Sequence, residues 1–173
     1  MRAGKTSRYV RRTVLLVCEG DAEVAFIKHL KSLFFDRAGG IAVTVKNARG
    51  KGALGVVEFA IRQSKTADYD VKAALPDTDA DWNEKTEAKA RKAKVQVVAS
   101  QPCLEAMLLA LHGDAAQNLS SAKYKQAFAT RFGAPANDAG VYTKHFPLDL
   151  LKKASAGSPP LAQLLALLTS GKR

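Results

Sequence analysis

The chain reads as an α/β fold, with a central, mainly parallel sheet of about four strands, helices on both of its faces and a C-terminal helical extension. Three observations predict this. Val14-Leu15-Leu16-Val17 is too uniformly apolar for a strand with one wet face, so it reads as a central strand covered on both sides. It stops at Glu19-Gly20 and passes directly into an amphipathic helix, as parallel sheets require. Short apolar runs then recur at Ile41–Val45, Val71–Leu75 and Val95–Ala99, separated by helical spacing.

The elements follow in order. Met1 to Arg12 carries Arg2, Lys5, Arg8, Arg11 and Arg12, a basic arm able to lie along a phosphate backbone or to remain a solvated terminus. Asp21 is placed to cap a helix running to about Phe35, whose Val24, Ile27, Leu30 and Phe34 share one face. Glu23 stands one turn beyond Glu19. After the second strand, Lys46-Asn47-Ala48-Arg49-Gly50-Lys51-Gly52 precedes a helix over about 53–63. Glycines and a helix start can turn amides toward an anion, so Arg49 and Lys51 suit a phosphate contact, with an ordinary basic loop as the alternative. The spacing is not that of a P-loop.

The third strand runs into Pro76 and then Asp77-Thr78-Asp79-Ala80-Asp81. On an extended chain alternate side chains share a face, so Asp77, Asp79 and Asp81 are expected to line one crevice; the alternative is an acidic turn with Asp81 capping the next helix. A charged surface helix over 82–93 leads to the fourth strand, which ends at Ser100-Gln101-Pro102-Cys103-Leu104-Glu105. Pro102 suits the first turn of a helix that buries Leu104, Met107, Leu108 and Leu111 and leaves Glu105 near the strand end. From residue 113 the pattern changes to helices at about 118–133, 147–154 and 159–169, with a loop over 135–140. The last carries Leu161, Leu164, Leu165 and Leu168, a core face or, alternatively, a homodimer contact.

At 173 residues and 47% hydrophobic content the chain suits one packed domain with an extension. Its formal charge of +11 favours a polyanionic partner, nucleic acid first. Two cysteines without paired spacing suggest neither a disulfide framework nor a zinc site, and fit a cytoplasmic setting. His29, His112 and His145 lack metal-binding spacing and read as surface or structural groups. No apolar run approaches the roughly 18 residues of a membrane span, so no membrane association is expected. The basic start lacks the apolar core of a secretory signal.

Three segments together resemble a family. Val17-Cys18-Glu19-Gly20-Asp21-Ala22-Glu23 resembles the first motif of Toprim domains, in the form found in overcoming-lysogenization-defect (OLD) nucleases with two glutamates four apart. Asp77-Thr78-Asp79 is similar to the Toprim Asp-x-Asp motif. Ser100-Gln101-Pro102-Cys103-Leu104-Glu105, with Leu108-Leu109-Ala110-Leu111-His112, is similar to the Ser-Asn-Pro-Cys-Phe-Glu segment and leucine-rich helix of RloB-like proteins. The resemblance covers roughly residues 13–112 and implies a Toprim-like (Rossmann-like) sheet with a Mg2+ or Mn2+ phosphoryl-transfer centre. It would make Glu19 a general acid/base or metal ligand, Glu23 a second ligand, and Asp77 and Asp79 the metal-binding pair. Glu105 would be an additional site residue. There are two departures from the pattern. Pro76 stands where a bulky apolar residue is usual, which predicts a short or bulged strand. Asp81 stands where the OLD pattern tends to have serine, adding a further candidate ligand.

The implied activity is that of a small nuclease acting on DNA or RNA, in the setting of bacterial phage defence (abortive infection). A topoisomerase or primase needs accessory parts that the last 60 or so residues could not supply. Two alternatives are a non-catalytic nucleic-acid-binding subunit working with an ATPase partner, and a Toprim ribonuclease that matures ribosomal RNA. In each, Arg11, Arg12, Arg49 and Lys51 would meet the nucleic-acid backbone.

Overall fold

The computed structural model describes residues 12–35, 40–79, 81–114 and 118–169. Strand β1 (Arg12–Cys18) lies between β2 (Ile41–Asn47) and β3 (Val71–Leu75), and β4 (Val95–Val97) flanks β3. All three pairings are parallel. The order β2-β1-β3-β4 means that the chain leaves β1 in one direction and returns past it in the other. The carboxyl ends of β1 and β3 therefore flank a topological switch point, where open parallel sheets leave a crevice. This is a Rossmann-like arrangement.

Both faces of the sheet are covered, and the alternation along β1 assigns its side chains. Val14, Leu16 and Cys18 enter one apolar cluster with Phe26, Ile27 and Leu30 of α1 (Asp21–Phe34) and with α4 (Leu104–Leu111). Helices α5 (Ser121–Phe132), α6 (Ala139–His145), α7 (Leu148–Ser155) and α8 (Pro159–Thr169) complete that cluster. Leu15 and Val17 enter a smaller one with Val56, Val57 and Ala60 of α2 (Gly52–Gln63) and Ala90 of α3 (Glu84–Lys92). Residues 14–18 are fully buried, as the uniform apolar run requires. At the amino ends of the strands Asp70 ties β3 to β1: its carboxylate accepts from the Thr13 amide at 2.7 Å and hydroxyl at 2.9 Å.

The last four helices share one core with α1 and α4. Tyr142, Phe146, Phe128 and Phe132 form a continuous ring cluster with Phe26, His29 and His112. His29 has a structural role, with Nε2 lying 2.7 Å from the Phe146 carbonyl. Buried Tyr142 donates its hydroxyl proton to the Ala136 carbonyl at 2.6 Å. Tyr142→Phe leaves that acceptor unpaired, so chemical denaturation is expected to show a loss of about 1–2 kcal/mol.

Several boundaries differ from the sequence reading. Gly20, not Asp21, is the N-cap of α1; Asp21 is the first helical residue and accepts from Asn47 Nδ2 at 2.7 Å. Asn83, not Asp81, caps α3 and accepts from the Thr86 amide at 3.0 Å, so Trp82 lies outside the helix. Pro102 precedes the Cys103 N-cap instead of entering α4. Helix α5 begins only after Ser120, whose hydroxyl caps it, and ends at left-handed Gly133. Helix α6 arises at the end of the expected loop, because Asp138 accepts from the Gly140 amide at 2.7 Å and so starts a turn. Arg12 opens β1, donating its amide to Gly40 at 2.7 Å, instead of closing an arm; Arg11 lies outside the described residues. Among the described residues no helix is long and apolar enough to cross a membrane.

Candidate functional site: a carboxylate crevice at the switch point

Strand β3 ends at Leu75, and Pro76 brings no amide to the ladder. The amide after it is Asp77's, and it donates to Glu19 Oε2 at 2.9 Å. Glu19, the first residue past β1, is thereby fixed across the switch point to a residue just past the end of the neighbouring strand. A parallel bridge between Asp77 and Ser100 continues the sheet beyond the named strands. The Thr78 amide and hydroxyl both donate to the Ser100 carbonyl at 3.0 Å. Asp77 Oδ1 accepts from the Leu104 amide at 3.1 Å, at the start of α4. The 77–79 and 100–105 segments thus interlock, bringing Glu105 to the same place.

Glu23 arrives from α1. Its Oε2 accepts from the Gly20 amide at 2.8 Å, the glutamate half of a capping box, and Gly20 itself has no side chain to return the bond. Glu23, Asp77 and Glu105 are 7%, 8% and 5% exposed. Oε2 of Glu105 is buried with no hydrogen-bond partner among the described residues.

This packing weakens the acids. Burial, then the charges of Glu23, Glu19 and Glu105, pushes Asp77 up to about 8, against the lowering bond from Leu104. Burial raises Glu23, aided by Glu105 and Glu19 and opposed by its amide bonds. Glu19 is also raised, by burial first and then by Asp79 and Asp81; the Asp77 amide and Lys125 pull the other way. Four carboxylates from the ends of β1 and β3 and the starts of α1 and α4 therefore share a region short of positive charge.

Asp79 and Asp81 differ from Asp77 in being exposed, yet both lie near enough to Glu19 for their charges to raise it. Asp79 is exposed and accepts from the Ser121 hydroxyl of α5 at 3.0 Å. Asp81 is exposed and lies against Gly52 so closely that a Cβ there would overlap its carboxylate. The expected anion position at the start of α2 thus faces a carboxylate of the chain itself. Arg49 and Lys51 are exposed in that loop, which is held to the strand end by the Gly50 amide donating to the Glu19 carbonyl at 2.7 Å.

Lys125 is the residue that the sequence reading missed. Burial would lower its ammonium, but Glu105, Asp77, Cys103 and Glu23 outweigh that and hold it raised. It stands one turn past Ser121 and just before Phe128, so the inner face of α5 changes from apolar to polar where it reaches the crevice. That Ser-x-x-x-Lys extension of an aromatic stripe was the available signal.

The donor set consists of hard carboxylate oxygens. Glu19, Glu23 and Asp77 each hold one oxygen on a backbone amide, and Glu105 carries an orphaned one, which fits a small divalent cation. Among the described residues no three His, Cys, Asp or Glu side chains converge as a ligand group. Magnesium keeps several waters and needs only one or two direct carboxylates, so Glu19 and Asp77 would be the first to hold it. In comparisons with known proteins, no family model, curated protein or solved structure matches the chain.

Proposed function

We propose that the chain is a magnesium- or manganese-dependent nuclease of the Toprim type, hydrolysing phosphodiesters of DNA or RNA. The observation that carries this reading is the Glu19–Asp77 hydrogen bond at the switch point, with Glu23 and Glu105 buried beside it. A bound divalent ion would supply electrostatic stabilisation of the reacting phosphoryl oxygens. Glu19, with its acidity weakened, is suited to accept a proton from an attacking water. Lys125 at the mouth of the crevice would meet a phosphate oxygen, while Arg49 and Lys51 would hold the flanking backbone. A role in phage defence follows only from the resemblance to OLD and RloB-like proteins.

The test is incubation of labelled single- and double-stranded DNA and RNA with MgCl2 or MnCl2, against EDTA. Metal-dependent product is the expected result, and no product from any substrate with either metal would overturn the reading. Lys125→Gln is expected to slow cleavage about tenfold, the scale of one charged hydrogen bond, without changing the fold. Single-turnover rates and circular dichroism measure the two effects.

A second reading is favoured by two observations: Lys125 already supplies positive charge to the crevice, and among the described residues no three ligands converge. On that reading the chain is a non-catalytic nucleic-acid-binding subunit, with an ATPase as its partner. Binding that weakens steeply with salt but ignores chelators, without cleavage, would mark it.

A further inference from the structure

A cavity of about 1000 Å³ is walled by α4, α5, α7 and the turn into α8, with Ala99 and Gln101 also lining it. Its origin is legible in the side chains. Ala110 of α4, Ala127 of α5 and Ala154 of α7 line the space, so three helices that pack tightly elsewhere leave a gap where alanine replaces anything larger. Met107 and Leu150 contribute further apolar surface. The volume is at the upper end of the roughly 300–1,000 Å³ typical of small-ligand sites.

The polar lining is unequal in charge. Arg131 is 3.6 Å from Asp114, and that pair is neutral overall. Lys153 also lines the space, is exposed, and has no acidic partner among the described residues. An open, mainly apolar cleft in which Lys153 adds positive charge beside the Arg131–Asp114 pair complements a molecule with an apolar body and a single anionic head.

We propose that this cavity is a binding site for a small amphiphilic anion, such as a carboxylate, sulfonate or phosphate ester carried on an aromatic or alkyl body. The apolar body fills the space over Ala110 and Ala127, and the head pairs with Lys153. The proposal does not depend on the nuclease reading, since none of these residues belongs to the carboxylate crevice.

The test uses the full chain and two fluorescent probes that differ in charge: 8-anilinonaphthalene-1-sulfonate and the neutral N-phenyl-1-naphthylamine. The sulfonate is expected to bind saturably to a single class of site and at least about tenfold more tightly than the neutral probe. Ala110→Trp, a filling substitution at an exposed position, is expected to abolish sulfonate binding while thermal melting monitored by circular dichroism stays unchanged. Lys153→Glu, on the surface, is expected to weaken the sulfonate about tenfold and leave the neutral probe unaffected. Should Ala110→Trp disturb the melt, Lys153→Glu alone decides. Sulfonate binding that is unsaturable, no tighter than the neutral probe, or indifferent to Lys153→Glu overturns the proposal.

Discussion

Glu19→Gln and Asp77→Asn are each expected to lower metal-dependent cleavage by roughly a thousandfold or more, equivalent to about 4 kcal/mol of transition-state stabilisation. Both substitutions keep shape and hydrogen bonding. Glutamine at 19 still offers an oxygen to the Asp77 amide, and asparagine at 77 still accepts from Leu104. What each removes is one negative charge at the switch point, together with the ability to ligate a hard cation or carry a proton. Single-turnover cleavage at saturating metal measures the loss, and unchanged circular dichroism excludes misfolding. If both purified variants cleave within about tenfold of the native rate, the crevice is not where the chemistry occurs.

Asp77→Asn is expected to have the opposite effect on stability. The folded chain holds this carboxyl at about 8, against an ordinary 3.8. Below pH 4 the group is protonated in both folded and unfolded chains and exerts no pull. Between those values the unfolded chain ionises while the folded chain keeps the proton, so each pH unit crossed costs about 1.4 kcal/mol of stability until the folded value is passed. The metal-free native protein should therefore lose stability as pH rises from about 4 to about 8, and the asparagine variant should escape Asp77's share of that loss. At pH 8 a gain of at least about 2 kcal/mol is expected, or roughly 4–8 °C in Tm for a chain of this size. Magnesium should raise the Tm of the native protein and have much less effect on the variant. A variant that melts no higher than the native protein at pH 8 would show that the crevice holds no strained charge. Losing activity while gaining stability is the signature of residues placed for chemistry at the expense of the fold.

The sheet was legible because its signal is local and strong. The uniform apolar run of β1 can satisfy only a strand buried on both faces, and Glu19 follows it directly. That Glu19, Glu23, Asp77 and Glu105 stand near the switch point was legible in outline, since each lies at the end of a strand or the start of a helix. What the sequence hid depends on packing across the chain. Asp79 and Asp81 seemed equivalent to Asp77, but Asp77 is buried while they are exposed, Asp79 held by Ser121 and Asp81 lying against Gly52, with both still acting on Glu19. Lys125 looked like one surface cation among many, because only the docking of α5 on α4 brings it toward the carboxylates. Helix α6 was hidden for a related reason: its seven residues carry little periodicity, and Tyr142 is held by partners 6 and 120 residues away.

The two layers over the sheet are unequal. Large aromatic and leucine side chains fill the side that carries α1 and α4 to α8, whereas valine and alanine fill most of the side that carries α2 and α3. Local opening follows the thinner layer, so in amide hydrogen exchange α2 and α3 should lose protection before α1 and α4. Arg49 and Lys51 ride on the compliant layer, while Glu23 and Glu105 are anchored in the stiff one. On the nuclease reading proposed above, the grip on a long, irregular polyanion would therefore adapt without disturbing the spacing of those two buried acids.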